Sequence, residues 1–278
     1  LNNLIFTAAV FTSSIAAGFL GSLTGLGGGV VIVPLLALGF GVDIRYAIGA
    51  SLVSVIATSS GAAAAYVKEG FSNIRIGMFL EIATTVGALV GASLVTRLPT
   101  SLIAVVFGVV LAFSALFSSH PHHEAALGGA PDPLATRLRL DSTFPGPTGP
   151  QPYHVRGVPQ AFGLMFVAGS LSGLLGIGSG AVKVLAMDRA MRLPFKVSTT
   201  TSNFMIGVTA AASAGIYLNH GFIDPGLAMP VMLGVLLGST LGAKTLVTAR
   251  THVLRWVFAV AILALAAEMI YNGLTGRL

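Results

Sequence analysis

Cysteine is absent from all 278 residues, which excludes disulfides, thiolate metal centres and cysteine nucleophiles. Charge is scarce: Asp, Glu, Lys and Arg make up 9% of the chain, against about 25% in an ordinary soluble domain. With 54% hydrophobic residues, such a chain reads as an integral membrane protein. The formal charge of +6 has no basic run or aromatic-interleaved patch behind it. That argues against a nucleic-acid surface and for positively charged cytoplasmic loops. The apolar segments also hold no carboxylate pair, no nucleophile–base set and no metal-ligand spacing, so catalysis and a resident cofactor have no footing there. His220 and His252 fall at segment ends. The cluster His120-Pro121-His122-His123-Glu124 lies in a polar linker, where a solvated histidine cluster is favoured over a metal site.

What the chain does have is glycine, in a repeated arrangement. Gly25-Leu26-Gly27-Gly28-Gly29 recurs 151 residues later as Gly176-Ile177-Gly178-Ser179-Gly180. At the same offset Gly18 meets Gly169, Ser51 meets Ser202, Thr58 meets Thr209 and Tyr66 meets Tyr217. Gly70, Gly87, Gly91 and Phe107 meet Gly221, Gly238, Gly242 and Phe258. Seven glycines coincide where chance would superimpose roughly two, so the chain is an internal duplication. Matched glycine interruptions in two halves are the best sequence pointer to a transporter's binding site.

Three apolar segments of membrane-crossing length follow each interruption: Tyr46–Val67, Ile76–Thr96 and Ser101–Phe117, then Val197–Leu218, Pro225–Val247 and His252–Tyr271. Each half opens less regularly. The 31 residues Val158–Asp188 extend about 46 Å as helix, short of the roughly 60 Å that two crossings need. The segment therefore turns back within the membrane or crosses as a broken helix, with glycine supplying the break. Unwound backbone at that depth must be buried in protein or line a watery cavity. The opening segment Leu4–Leu20 has no preceding Lys or Arg and aligns with the second half, so it reads as a structural helix and not a signal peptide.

Loop charges set the orientation. The richer loop of each repeat pair can be cytoplasmic only if the two halves are oppositely inserted. With the central linker inside, 10 of the 15 Lys and Arg fall inside, and Arg45, Arg97 and Arg277 outside. This is the positive-inside pattern. The expected architecture is an all-α integral membrane protein of two inverted-topology repeats, each a Gly-broken helix hairpin followed by three membrane-spanning helices. Residues 1–118 form the first repeat, 119–158 a cytoplasmic extramembrane linker and 159–278 the second repeat.

Within this frame the candidate binding residues are Gly27, Gly28, Gly29, Gly178, Ser179 and Gly180 at the breaks, whose N–H groups suit an anion. A dinucleotide fingerprint is excluded by the membrane-helix flanks, whereas close helix packing remains an alternative use of the glycines. Lys183 lies in an apolar segment opposite Ile32 of the other repeat. It reads as a charge for the anion or as a lysine snorkelling to the inner interface. Lys244 snorkels more readily. Ser51, Ser202 and Asn203 could orient an oxyanion, or cap and cross-link helices. Glu81 is the candidate for proton coupling and Glu268 a weaker one, with interfacial placement the stronger reading for both.

The duplicated motifs, Gly25–Pro34 and Gly176–Lys183 followed by Ser198–Gly207, resemble the TauE/SafE sulfite exporter family, the TSUP permeases. The resemblance covers roughly 18–117 and 169–271. It implies a multipass carrier of a small sulfur-containing anion such as sulfite or an organosulfonate. Ser179 stands where that family usually has glycine, and Leu185 where it has proline. The expected function is a secondary transporter working by alternating access in the cell membrane, with a small anion and the lipid bilayer as partners. A passive anion channel, or a carrier of a non-sulfur organic anion, is the rival.

Overall fold

The computed structural model describes residues 3–24, 28–68, 72–118, 132–146, 149–246 and 251–277. Helix α1 (Asn3–Thr24) runs up to the first glycine break, and the short α2 (Gly29–Pro34) leaves it, widening into a π-helical turn at Leu35–Gly39. Then come α3 (Ile44–Lys68), α4 (Ile74–Leu94) and α5 (Thr100–Ser118). The second half repeats the order: α7 (Val158–Leu175), a break, the short α8 (Gly180–Leu185) with its π-helical turn at Ala186–Ala190, then α9 (Phe195–Asn219), α10 (Pro225–Leu246) and α11 (Thr251–Leu274). Among the described residues, the stretches Asn3–Gly21, Ile74–Leu94, Val158–Leu175 and Pro225–Gly242 are long and apolar enough to cross a membrane. The protein is a helical, multi-pass membrane protein.

Length bounds what the start of each half can span. Helix α7 has 18 residues and spans about 27 Å at 1.5 Å per residue. The arm after the break, α8 with its π turn, covers 180–190 and rises only about 16 Å. That is about half of the roughly 30 Å hydrocarbon thickness of a bilayer. Pro34 does not cause the π turn, because the second arm makes the same turn with Leu185 in that place.

The 151-residue offset governs packing as well as sequence. Helix α1 lies along α10 and α4 lies along α7, while α3 crosses α9 and α5 lies along α11. A Cβ added at Gly18 would stand 2.4 Å from Val235 O, and one at its counterpart Gly169 2.1 Å from Thr84 O. Val235 and Thr84 are themselves 151 apart. Gly238 meets Ile15 O as Gly87 meets Phe166 O, again one pair under the same offset. These glycines let helix backbones touch, which is how helices associate when lipid offers no hydrophobic drive. The outer faces match too: Met78, Ile82, Val86 and Val90 on α4, and Met229, Leu233, Leu237 and Leu241 on α10, are exposed apolar stripes suited to lipid.

The linker departs from the expected loop. Asp132 caps α6 (Pro133–Arg137), its Oδ1 accepting from Leu134 N at 2.9 Å. Strands β1 (Ser142–Gly146) and β2 (Gly149–Tyr153) then form an antiparallel hairpin. This unit packs on the ends of α4, α7 and α9, where Leu140, Tyr153 and Val155 share a buried cluster with Ile76, Leu80, Met187 and Met191. Asn73 fastens it. Its Oδ1 caps α4 by accepting from Ile76 N, while its Nδ2 donates to Tyr153 Oη at 2.7 Å and to Leu140 O at 3.1 Å. Its backbone N–H donates to Thr201 Oγ1 of α9. Burial pushes the Tyr153 phenol above its ordinary 10.0, against the lowering effect of its hydrogen bonds to Asn73 and Ser142. A raised phenol is neutral throughout the range below pH 10, so this fastening holds there and weakens only in stronger alkali. Asn73→Ala removes the cap and two buried hydrogen bonds. It should lower stability by about 2–4 kcal/mol, seen as a reduced thermal midpoint of the purified protein. The histidine cluster 120–123 lies outside the described residues.

Candidate functional site

The two glycine breaks meet where α3 crosses α9. On α3, Ile48, Ser51 and Val55 lie three and four residues apart and so share one face. A Cβ at Gly176 would touch Ile48, and one at Gly29 would stand 2.6 Å from Ser51 Oγ, 2.8 Å from Val55 and 3.1 Å from Gly176 O. Ser51 Oγ donates to Gly176 O at 2.8 Å, a bond from the first half to the break of the second. On α9 the matching stripe is Ser202, Ile206 and Thr209. Ser202 Oγ donates to Gly180 O at 3.4 Å, and Ile206 packs on Gly178 and Gly180. Asn203 sits one position on from Ser202, about 100° round the helix. It is half-buried, and the structure does not bring it to the break. Gly28 is buried against Gly18 and Val235, and Gly27 lies outside the described residues.

The second break is the more contorted. Gly176 and Gly178 take left-handed backbone conformations at φ 67° and 71°, and Ser179 does so at φ 46°. For a residue with a Cβ that conformation costs about 1–2 kcal/mol. Its counterpart Gly28 sits at φ −63°, so the residue free to turn left does not, and the one that resists does. The Ser179 hydroxyl is also buried without a hydrogen-bond partner among the described residues, as is that of Ser198. Strain and an unpaired hydroxyl thus coincide in one residue, which makes Ser179 a candidate functional position.

One turn beyond the break is Lys183, whose N–H donates to Ser179 O. Its side chain is 0% exposed. The snorkelling reading fails, because the chain points inward between α9 and α4 and not toward the end of its own arm. Its Nζ donates to Thr209 Oγ1 at 2.5 Å. Thr209 Oγ1 in turn donates to Glu81 Oε1 at 2.7 Å, and Thr85 Oγ1 donates to the same oxygen at 3.1 Å. The interfacial placement of Glu81 is likewise corrected: its position along α4 suggested a helix end, but its carboxylate turns in toward α9 and is 8% exposed. Its Oε2 is buried without a partner among the described residues.

An ammonium and a carboxylate thus face each other across one hydroxyl, fully inside the helix bundle. An ammonium carries three donors, and among the described residues Thr209 is the acceptor for one of them. The first break has no such pair, since the counterparts of Lys183 and Glu81 are Ile32 and Met232. Glu268, by contrast, is exposed near the end of α11, and the Lys244 side chain lies outside the described residues. Thr209 carried a sequence signal only as the repeat partner of Thr58. Its bridging role follows from the packing of α4 on α9.

Comparisons with known proteins find relatives along nearly the whole chain. The profile of the family described as Sulfite exporter TauE/SafE matches residues 10–269. A probable membrane transporter protein, YunE of Bacillus subtilis (strain 168), is 28% identical over 93% of this chain and 95% of its own. One from Xylella fastidiosa (strain 9a5c) is 26% identical over 92% and 91%, and one from Methanocaldococcus jannaschii, MJ0441, is 27% identical over 82% and 81%. No solved structure matches the chain.

Proposed function

The chain belongs to the TauE/SafE family, and from that premise we propose that this membrane transporter carries a small sulfur-containing anion, sulfite or an organosulfonate, by alternating access. The observation that carries the reading is Lys183: a lysine wholly inside the bundle, one turn from a strained break, with donors left over for a ligand. The anion sits beside Gly178, Ser179 and Gly180, opposite Gly29 of the first break. It takes hydrogen bonds from the Lys183 ammonium, the Ser179 hydroxyl and the N–H groups that a helix start leaves unpaired. Ser51 and Ser202 hold the carbonyl side of the breaks, which keeps the N–H side for the anion. Asn203 contributes only if α9 rotates.

The two halves, 1–118 and 159–278, are inverted repeats that rock about this site. The linker 119–158 is cytoplasmic and ties the inner ends of α4, α7 and α9 together. Saturable counterflow of labelled sulfite or sulfonate in proteoliposomes supports a carrier, whereas linear, non-exchanging flux indicates the channel. Ser179→Gly gives a second test. It relieves the left-handed strain and should raise stability by about 1 kcal/mol, while weakening anion binding severalfold through loss of the hydroxyl. A variant that is both more stable and equally tight in binding takes Ser179 out of the site.

A further inference from the structure

Lys183, Thr209 and Glu81 form a chain whose charges cancel before any anion arrives. An added anion beside Lys183 would leave a net negative charge in a region where an uncompensated charge is costly. Glu81 stands ready to remove it: its Oε2 is buried and unpartnered among the described residues, so a proton there meets no competing donor. Thr209 provides the second half of the device. Its single hydroxyl proton has two acceptors within reach, Glu81 Oε1 at 2.7 Å and Met205 O at 2.9 Å, and it serves one at a time. While Glu81 is a carboxylate the proton belongs on Oε1. Once Glu81 is an acid the hydroxyl is free to turn to Met205 O.

The other charges on the neighbouring elements stand at or near element ends. Arg75 and Lys196 stand in the first turns of α4 and α9, Arg45 and Lys68 at the ends of α3, and Asp188 and Arg189 in the π turn that ends the α8 arm. Helices α7 and α5, also packed around the pair, carry no charged residue.

Building on the carrier reading, we infer that each monovalent anion is carried with one proton, which binds Glu81 as the anion replaces that carboxylate as the counterion of Lys183. No bond of the anion changes. One proton from the aqueous side converts the Glu81 carboxylate to the acid, and it leaves to the opposite side with the anion. The loaded and empty sites then have the same net charge, and transport is electroneutral. Thr209 is a positioning residue that passes the change of state between the two charged groups.

The test uses methanesulfonate and isethionate, strong-acid anions that carry no proton of their own across a bilayer. Wild-type protein in liposomes with a lumenal pH dye and clamped potential should acidify the lumen by about one proton per anion entering. In Glu81→Gln, proton movement per anion transported should fall at least tenfold, whatever the change in labelled-for-unlabelled anion exchange. Thr209→Val should likewise lower the proton-to-anion ratio, and it carries the test if Glu81→Gln is not monodisperse. Anion influx without acidification in the wild type, or unaltered acidification in folded Glu81→Gln, overturns the coupling and leaves the carrier reading standing. Absence of counterflow for both anions overturns the carrier reading for sulfonates, and the coupling falls with it.

Discussion

Lys183→Met should cut anion affinity by about 30- to 150-fold, the equivalent of roughly 2–3 kcal/mol for charge-assisted hydrogen bonds in a buried site. Methionine fills nearly the same space without a donor, so packing against α9 survives while the charge goes. The variant has a second consequence, because Glu81 then keeps Thr209 and Thr85 as donors but loses its counter-charge. Because the two charges meet only through Thr209, the loss should stay below the about 3–5 kcal/mol of a broken direct ion pair, and the thermal midpoint should fall accordingly. Pairing it with Glu81→Gln removes both charges and should recover most of that loss, although not the binding. Binding by equilibrium dialysis and thermal unfolding of the two single variants and the double variant separate these effects. If the double variant is no more stable than Lys183→Met alone, the two groups do not act as a pair.

The second large effect concerns the scaffold. Gly169→Leu places a Cβ 2.1 Å from Thr84 O and 2.7 Å from Thr84 Cα. These are backbone atoms of α4, which cannot turn away as a side chain would. The α4–α7 contact must open, at a cost at the upper end of the 1–3 kcal/mol typical of overpacking or beyond it. We expect the variant to lose its monodisperse elution and its transport. Gly18→Leu should do the same from the other half, against Val235 O at 2.4 Å. Gly163→Leu, on the same helix as Gly169 but with nothing within 4 Å, should be tolerated. Equal tolerance at Gly163 and Gly169 would mean that α4 and α7 do not touch as described.

Glycine made much of this legible in the sequence. A glycine that admits a neighbouring backbone cannot be replaced without separating two helices, so Gly18, Gly87, Gly169 and Gly238 kept a register that could be read without coordinates. Counting residues in 158–188 was enough to expect a broken segment there, either turning back or crossing once. Depth along a helix was legible as well, but direction around it was not. Seven residues into α4, Glu81 could have faced the interface or the bundle, and the packing of α9 against that face decides it. Lys183 left the same ambiguity between a snorkelling chain and an inward one. The linker hid its fold for a different reason. Its elements are too short to show periodicity and are held by contacts to distant helices, such as Tyr153 with Asn73, that no local pattern encodes.

The central claim is that the transported anion rests on the Lys183 ammonium beside the second break. Dipolar recoupling between ¹³C-methanesulfonate and protein labelled with ¹⁵N at lysine Nζ measures this directly in liposomes. The account predicts a coupling from the bound anion to one lysine nitrogen, at the carbon–nitrogen separation of about 4 Å that follows from a direct N–H···O contact of about 2.8 Å, and its loss in Lys183→Arg, where no labelled lysine remains at the site. Saturable binding with no lysine coupling, or a coupling that persists in Lys183→Arg, would contradict it.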